Sequence, residues 1–177
     1  AACHPGEGLD IPIWILGSST DSARLAAKMG LPYAFASHFA PAEFMRAIQL
    51  YRDHFQPSKQ LQAPYVLACV NIVMADTDAE AKRLFTSLQQ LFIGIVTGQR
   101  KPLQPPVDDI GDVWNDMISA SVGQMLQYSF FGAKDTVRKK LEAFVAATGV
   151  DEIMATAHIY DQEARLHSYR LFAELFQ

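Results

Sequence analysis

PIWILGSSTDSARLAAKMGLPYAFAS, residues 12–37, is the stretch whose reading decides the fold. A short apolar run ending at Leu16 meets the small residues Gly17-Ser18-Ser19. A compact helical pattern follows over Asp21–Met29, then Gly30, then a second apolar run from Leu31. Strand, loop, helix and strand in that order make one βαβ unit. The loop between the first strand and the helix is where such units bind anions. Helix-start N–H groups point out of it, and Ser18, Ser19, Thr20 and Ser22 add hydroxyl donors. Serine and threonine are also the residues preferred for capping a helix start, so the same hydroxyls carry a purely structural reading as well.

The alternation continues in both directions. Residues 1–11 read as loop, with Pro5, Gly6 and Gly8 as breakers, and the first strand as Ile11–Leu16. Ser19 or Thr20 caps the first helix, and Gly30 stands where a left-handed C-terminal residue belongs. The second strand spans Leu31–Phe39. A helix opens at Pro41, where the missing N–H costs nothing, and Pro57 stops it. Pro64–Ala75 is a long third strand, with Asn71 its one polar interior residue. Thr77-Asp78-Ala79-Glu80 has the form of a capping box, predicting a helix that ends near Gly98. Residues 99–130 form an insertion, irregular around Pro102, Pro105 and Pro106 and then helical over Val113–Tyr128. Asp135–Thr148 is an amphipathic helix closed by Gly149. Val150–Ile159 is the fourth strand, and Gln162–Phe176 the last helix.

Four parallel strands alternating with helices, plus an inserted helical excursion, give an α/β protein with its helices outside the sheet. Four such units are half of an eight-fold barrel, which needs about 250 residues where this chain has 177. The expectation is one partial domain over 1–177, the C-terminal half of a TIM barrel. The opening AACHPGEGLD, without Met and rich in Pro and Gly, reads as a mid-chain loop.

Composition excludes several functions. A net charge of −4 with no basic patch argues against a nucleic-acid partner. No apolar run reaches the roughly 18 residues that span a bilayer, so no membrane partner is expected. Cys3 and Cys69, far apart in sequence, read as reduced thiols of a cytoplasmic protein. The five histidines show no metal-ligand spacing.

WILGSSTDSARLAAKMGLPYAFASHF, VNIVMADTDAEAKRLF, GAKDTVRKKLEAFV and VDEIMATAHIYD together resemble the luciferase-like, flavin-dependent monooxygenases. The resemblance covers nearly the whole chain but only the C-terminal half of a family member. It implies a TIM barrel that binds reduced FMN at the C-terminal ends of its strands. It further implies a flavin reductase to supply the cofactor, and O2 to oxygenate a small organic substrate, an aldehyde in the luciferases. The phosphate grip carries over onto Gly17, Ser18, Ser19 and Ser22. Ser18 stands where the luciferases have an acidic residue, and Ser37 stands in place of a tryptophan beside the flavin. Gly132-Ala133-Lys134-Asp135 replaces the family's Gly-Ser/Thr-Pro-Glu, so the cap of the late helix has moved to Asp135 or been lost. F420-dependent oxidoreductases of the same superfamily are an alternative reading, and a non-catalytic half-barrel is another.

Among the remaining candidates, His38 stands at a strand's C-terminal end, where barrel active sites lie. Its imidazole reads as a donor to flavin or to a reacting oxygen, or as a loop histidine with a backbone partner. His158 reads as facing the barrel interior and Asp161 as a cap of the final helix. Asp21 is expected to face solvent, away from a phosphate. Trp14, Phe85 and Phe92 are assigned to the core. Four parallel strands leave two open edges and an uncovered inner face. The chain is therefore expected to pair with a second copy of itself or with the missing N-terminal half.

Overall fold

The computed structural model describes residues 8–111 and 115–177. Cys3, the loop reading over residues 1–7 and the predicted helix start at Val113 lie outside them.

A parallel sheet carries the chain, with β1 at Ile15–Gly17, β2 at Tyr33–Phe35, β3 at Val66–Met74, β4 at Ser129–Gly132 and β5 at Glu152–Thr156. Helices alternate with them: α1 at Thr20–Met29, α2 at Phe44–Asp53, α3 at Asp78–Val96, α4 at Asp116–Met125, α5 at Lys134–Thr148 and α6 at Gln162–Ala173. This is the parallel βα alternation expected, with one strand more than the four read from the sequence. β4 closes the insertion instead of its helix running on to Tyr128.

β3 is central and buried at every position. Residues of odd number along it turn their backbone groups to one edge, where Tyr65 O accepts from Tyr33 N and Asn71 N donates to Tyr128 O. Val66 O accepts from Asp151 N on the opposite edge. β2 and β4 therefore lie end to end along one side of β3, and β5 runs along the other.

Most strands are shorter than predicted, for a reason in each case. β1 begins at Ile15 because the chain before it has no strand to pair with; the Gln60 side chain instead clamps Ile13, donating to its carbonyl at 2.8 Å and accepting from its N–H at 3.2 Å. Trp14 thus lies outside the strand, 38% exposed and edge-on to Tyr65, rather than in the core. β2 ends at Phe35 because Ser37 N and Phe39 N fold back onto Phe35 O and Ala36 O. β5 ends at Thr156 because Ala157 N donates to the Tyr169 hydroxyl.

One face of the sheet packs on α1, α2, α5 and α6. Tyr33, Phe35, Val66, Ala68, Val70 and Ile72 meet Ala23, Ala27, Phe44, Ile48, Tyr51, Leu141 and Phe144 there. Phe44 sits at the centre of an aromatic cluster, 5.2 Å from Phe35, 5.1 Å from Tyr128 and 6.0 Å from Phe144. The opposite face, inward in a closed barrel, is covered at its C-terminal end by α3 and α4 around Val73, Phe85, Leu88, Phe92 and Val122. Phe85 and Phe92 are core residues as expected. Lower on that face Leu16, Ala34, Leu67 and Glu152 stand in register, and Leu16 is 69% and Met154 53% exposed.

At the start of α5 the helix's own side-chain cap is lost, the second of the two alternatives expected. Ala133 has no side-chain cap of its own, and Asp135 does not supply one. Asp78, in the first turn of α3, does so from across the fold. Its Oδ1 accepts from Ala133 N at 2.8 Å and its Oδ2 from the Thr136 hydroxyl at 3.0 Å. Gly132 makes the approach possible, with φ of 146° and the Asp78 carboxylate where a Cβ would stand. The predicted capping box at α3 is half formed: Thr77 Oγ1 accepts from Glu80 N, but the Glu80 carboxylate goes to Arg83.

Candidate functional site at the C-terminal rim

At the C-terminal end of β1 the chain leaves Gly17 and turns into α1 through Ser18 and Ser19. Ser19 caps the helix in a reciprocal box: its hydroxyl accepts from Ser22 N and the Ser22 hydroxyl accepts from Ser19 N, each at 3.4 Å. Ser22 Oγ also donates to Ser19 O at 2.7 Å and lies 2.9 Å from the Tyr33 hydroxyl, which donates to Ser19 O at 3.0 Å. Ser22 is thus tied inward, and Tyr33, a residue the sequence did not single out, locks the turn from the neighbouring strand. Gly17 is required here by space alone, since a Cβ would lie 2.1 Å from Ser22 Oγ.

What the loop turns outward is the N-terminus of α1. The Thr20 and Asp21 N–H groups have no acceptor within a helix of this length. The Ser18 and Thr20 hydroxyls make no hydrogen bond among the described residues. Asp21 faces solvent, its side chain 91% exposed, and holds Arg24 at 3.1 Å. The helix dipole and the free donors are therefore what this loop offers an anion.

Ala36 N donates to Gly17 O at 2.9 Å, which brings the end of β2 to the same rim. Ser37 there is fully buried, its hydroxyl donating to Cys69 O at 2.6 Å. Its polar group is spent on the neighbouring strand. His38 follows, its carbonyl accepting from Asn71 Nδ2 at 2.9 Å. Asn71 reaches Ser129 Oγ as well, at 3.0 Å, and is 1% exposed. His158, two residues past β5, completes this side of the rim. Burial holds both imidazoles below the ordinary histidine range. His158 adds to the effect on His38, a backbone contact to Cys69 opposes it, and Arg165 adds to the effect on His158. Burial pushes the Cys69 thiol up to about 11, which keeps it protonated and unreactive. Asp161 caps α6, its carboxylate accepting from Ala164 N at 2.8 Å.

The structure therefore gathers Gly17, Ser18, Ser19 and Ser22 at one loop and helix start, and places His38 in the turn that follows the next strand. The sequence signal for Tyr33 was its position opposite the loop in a two-residue alternation. For the His38–Asn71–His158 grouping there was none, because it depends on strand register.

A half-barrel of parallel βα units with a helix-start loop and polar groups at its C-terminal rim defines the class as a TIM-barrel type. The chain belongs to the luciferase-like monooxygenase family, whose pattern it matches over residues 2–152. It is 46% identical over 167 residues to a protein described as a luciferase-like monooxygenase in Escherichia coli K12, covering 94% of this chain and 50% of that one. The chain thus spans about half the length of the curated relatives it matches. Among solved structures, apo-MsnO8 superposes with a TM-score of 0.77 at 30% identity, over 98% of this chain and 56% of that one. The fold alone is shared with the oxygenating constituent of 3,6-diketocamphane monooxygenase from Pseudomonas putida, solved with FMN, at TM-score 0.63 and 21% identity over 96% and 49% of the two chains. It is shared also with an F420-dependent secondary alcohol dehydrogenase, at TM-score 0.58 and 13% identity over 96% and 50% of the two chains. No helix among the described residues is long and apolar enough to cross a membrane.

Proposed function

We propose that this chain is the phosphate-binding half of an FMN-dependent monooxygenase that oxygenates a small hydrophobic organic substrate with O2. The observation that carries the reading is the start of α1, where free N–H groups and the Ser18 and Thr20 hydroxyls face outward from a loop locked behind by Ser19, Ser22 and Tyr33. Such a loop fits a phosphate: rigid, glycine-backed and positive through the helix dipole. When bound, the flavin supplies electrons and activates O2, chemistry no side chain of this half offers.

The chain's own residues do the rest. Gly17 lets the helix start close onto the strand end, and the cap box holds the N–H groups in place. His38 stands at the mouth as a neutral imidazole able to donate or accept one proton at the reacting centre. Ser37 anchors that segment through the Cys69 carbonyl. α3 and α4 cover the C-terminal end of the inner face and keep water from it. On this reading a flavin reductase supplies the reduced cofactor and four further βα units complete the barrel of a cytoplasmic protein, a reading that the buried free thiol of Cys69 supports.

The test compares FMN with riboflavin, which lacks the phosphate. Ser19→Ala with Ser22→Ala is expected to weaken FMN at least tenfold while riboflavin affinity stays unchanged, read by quenching of flavin fluorescence. Equal losses for both flavins, or none for either, overturn the phosphate assignment.

A further inference from the structure

Three buried polar atoms on the inner face lack partners among the described residues: His38 Nδ1, Asn71 Oδ1 and His158 Nδ1. They cluster across two adjoining layers of the fold, close enough for the charge of His158 to act on His38. Asn71 stands in register with Thr156 of β5 and Ser129 of β4. His158 lies two residues beyond Thr156, and His38 is bonded to Asn71 through its carbonyl.

The orientation of the Asn71 amide is fixed, since both of its N–H groups are committed, to His38 O and to Ser129 Oγ. Oδ1 is therefore an acceptor with no donor among the described residues. A buried polar group in that condition costs roughly 1–3 kcal/mol, and native proteins hold few of them. Three such atoms near one another at the C-terminal end of the sheet offer donor and acceptor capacity that no described residue takes up.

Charge selects what could take it up. Asn71 Oδ1 repels a carboxylate, and the imidazoles are held neutral and so offer no compensating charge. An ammonium group meets the field of Arg165, the same field that opposes protonation of His158. A hydroxyl meets neither objection. It donates to Asn71 Oδ1 and accepts from the Nδ1–H of a neutral imidazole, which uses the donor and acceptor capacity the cluster leaves open.

We propose that His38, Asn71 and His158 form a subsite for an uncharged hydroxyl group of the organic substrate or product, such as an alcohol or the hydrate of an aldehyde. The proposal rests on the reading of this chain as half of the proposed monooxygenase.

The experiment uses the full-length protein labelled with 15N-histidine, titrated with 1-hexanol, hexanoate and hexylamine as probes. Hexanol is expected to move the Nδ1 resonances of His38 and His158, with hexanoate and hexylamine binding at least tenfold more weakly. Asn71→Leu is expected to weaken hexanol at least tenfold and to abolish its advantage over the charged probes. The wild-type shifts decide the matter whether or not that variant folds. Unmoved Nδ1 resonances, as a permanently held water would give, overturn the proposal, as does equal binding of hexanoate. The FMN-against-riboflavin comparison reports on the phosphate loop alone, so a failure there is distinguishable from a failure here.

Discussion

Asp78 and the two rim histidines show what single side chains contribute. The backbone N–H of Ala133 and the Thr136 hydroxyl both lower the Asp78 pKa from the usual carboxylate range. Replacing Asp78 with alanine is expected to lower the melting temperature and to speed hydrogen exchange at the start of α5, while Asp78→Asn keeps one acceptor oxygen for Ala133 N and so gives a smaller effect. Exchange rates unchanged in the alanine variant would remove Asp78 from that role. The histidines make stability depend on pH. Their unfolded-state pKa is near 6.5, and their folded values are lower. The unfolded chain therefore takes up protons first as pH falls. Stability from this source is complete above about pH 6.5 and is lost as pH drops below it toward the folded values. Urea midpoints at pH 7.5 and 5.5 should show the loss, and His38→Gln with His158→Gln should flatten it. None of these contacts was legible in the sequence. Asp78 and Ala133 are 55 positions apart, and only strand pairing brings them together.

At the scale of elements the sequence was most informative where local physics decides. The 3.6-residue period and Gly149 located α5 to within one residue, with φ of 61° at the cap. The long apolar run of β3 was similarly plain. Strand ends were not, because pairing partners set them: Gln60 occupies Ile13, and Tyr169 intercepts Ala157. β4 escaped for another reason. Ser129–Gly132 is too short to show an alternation and follows directly on a helical pattern. Phe44 joins α2 to β2 and α5 through three aromatic rings and is fully buried. Phe44→Ala is expected to cost about 3–5 kcal/mol, read from denaturant midpoints at constant slope. A cost under ~1 kcal/mol would mean that the cluster repacks around the gap.

The molecule as a whole is a sheet finished on one side. α1, α2, α5 and α6 seal its outer face. The inner face leaves Leu16 and Met154 in contact with solvent, and among the described residues β1 and β5 each have a neighbour on one edge only. Alone, the chain is expected to bind 1-anilinonaphthalene-8-sulfonate and to self-associate. A complementary half carrying four βα units should suppress both and form a one-to-one complex in analytical ultracentrifugation. A monomer that binds no dye would contradict the proposed completion of the barrel. The alternation that pointed to half a barrel was readable because it repeats.

The carboxylate of Asp78 has one more implication. It fastens the first turn of α3 to the first turn of α5, so the segment between α3 and β4 leaves and rejoins a frame that is held together beside it. Lengthening a loop whose ends are already fixed adds little entropy cost. The proline-bearing segment and α4 can therefore gain or lose residues across descendants of this fold without disturbing the rim they overhang. That region is where natural variants should differ most in length, and where a designer could splice in a new cover for the rim.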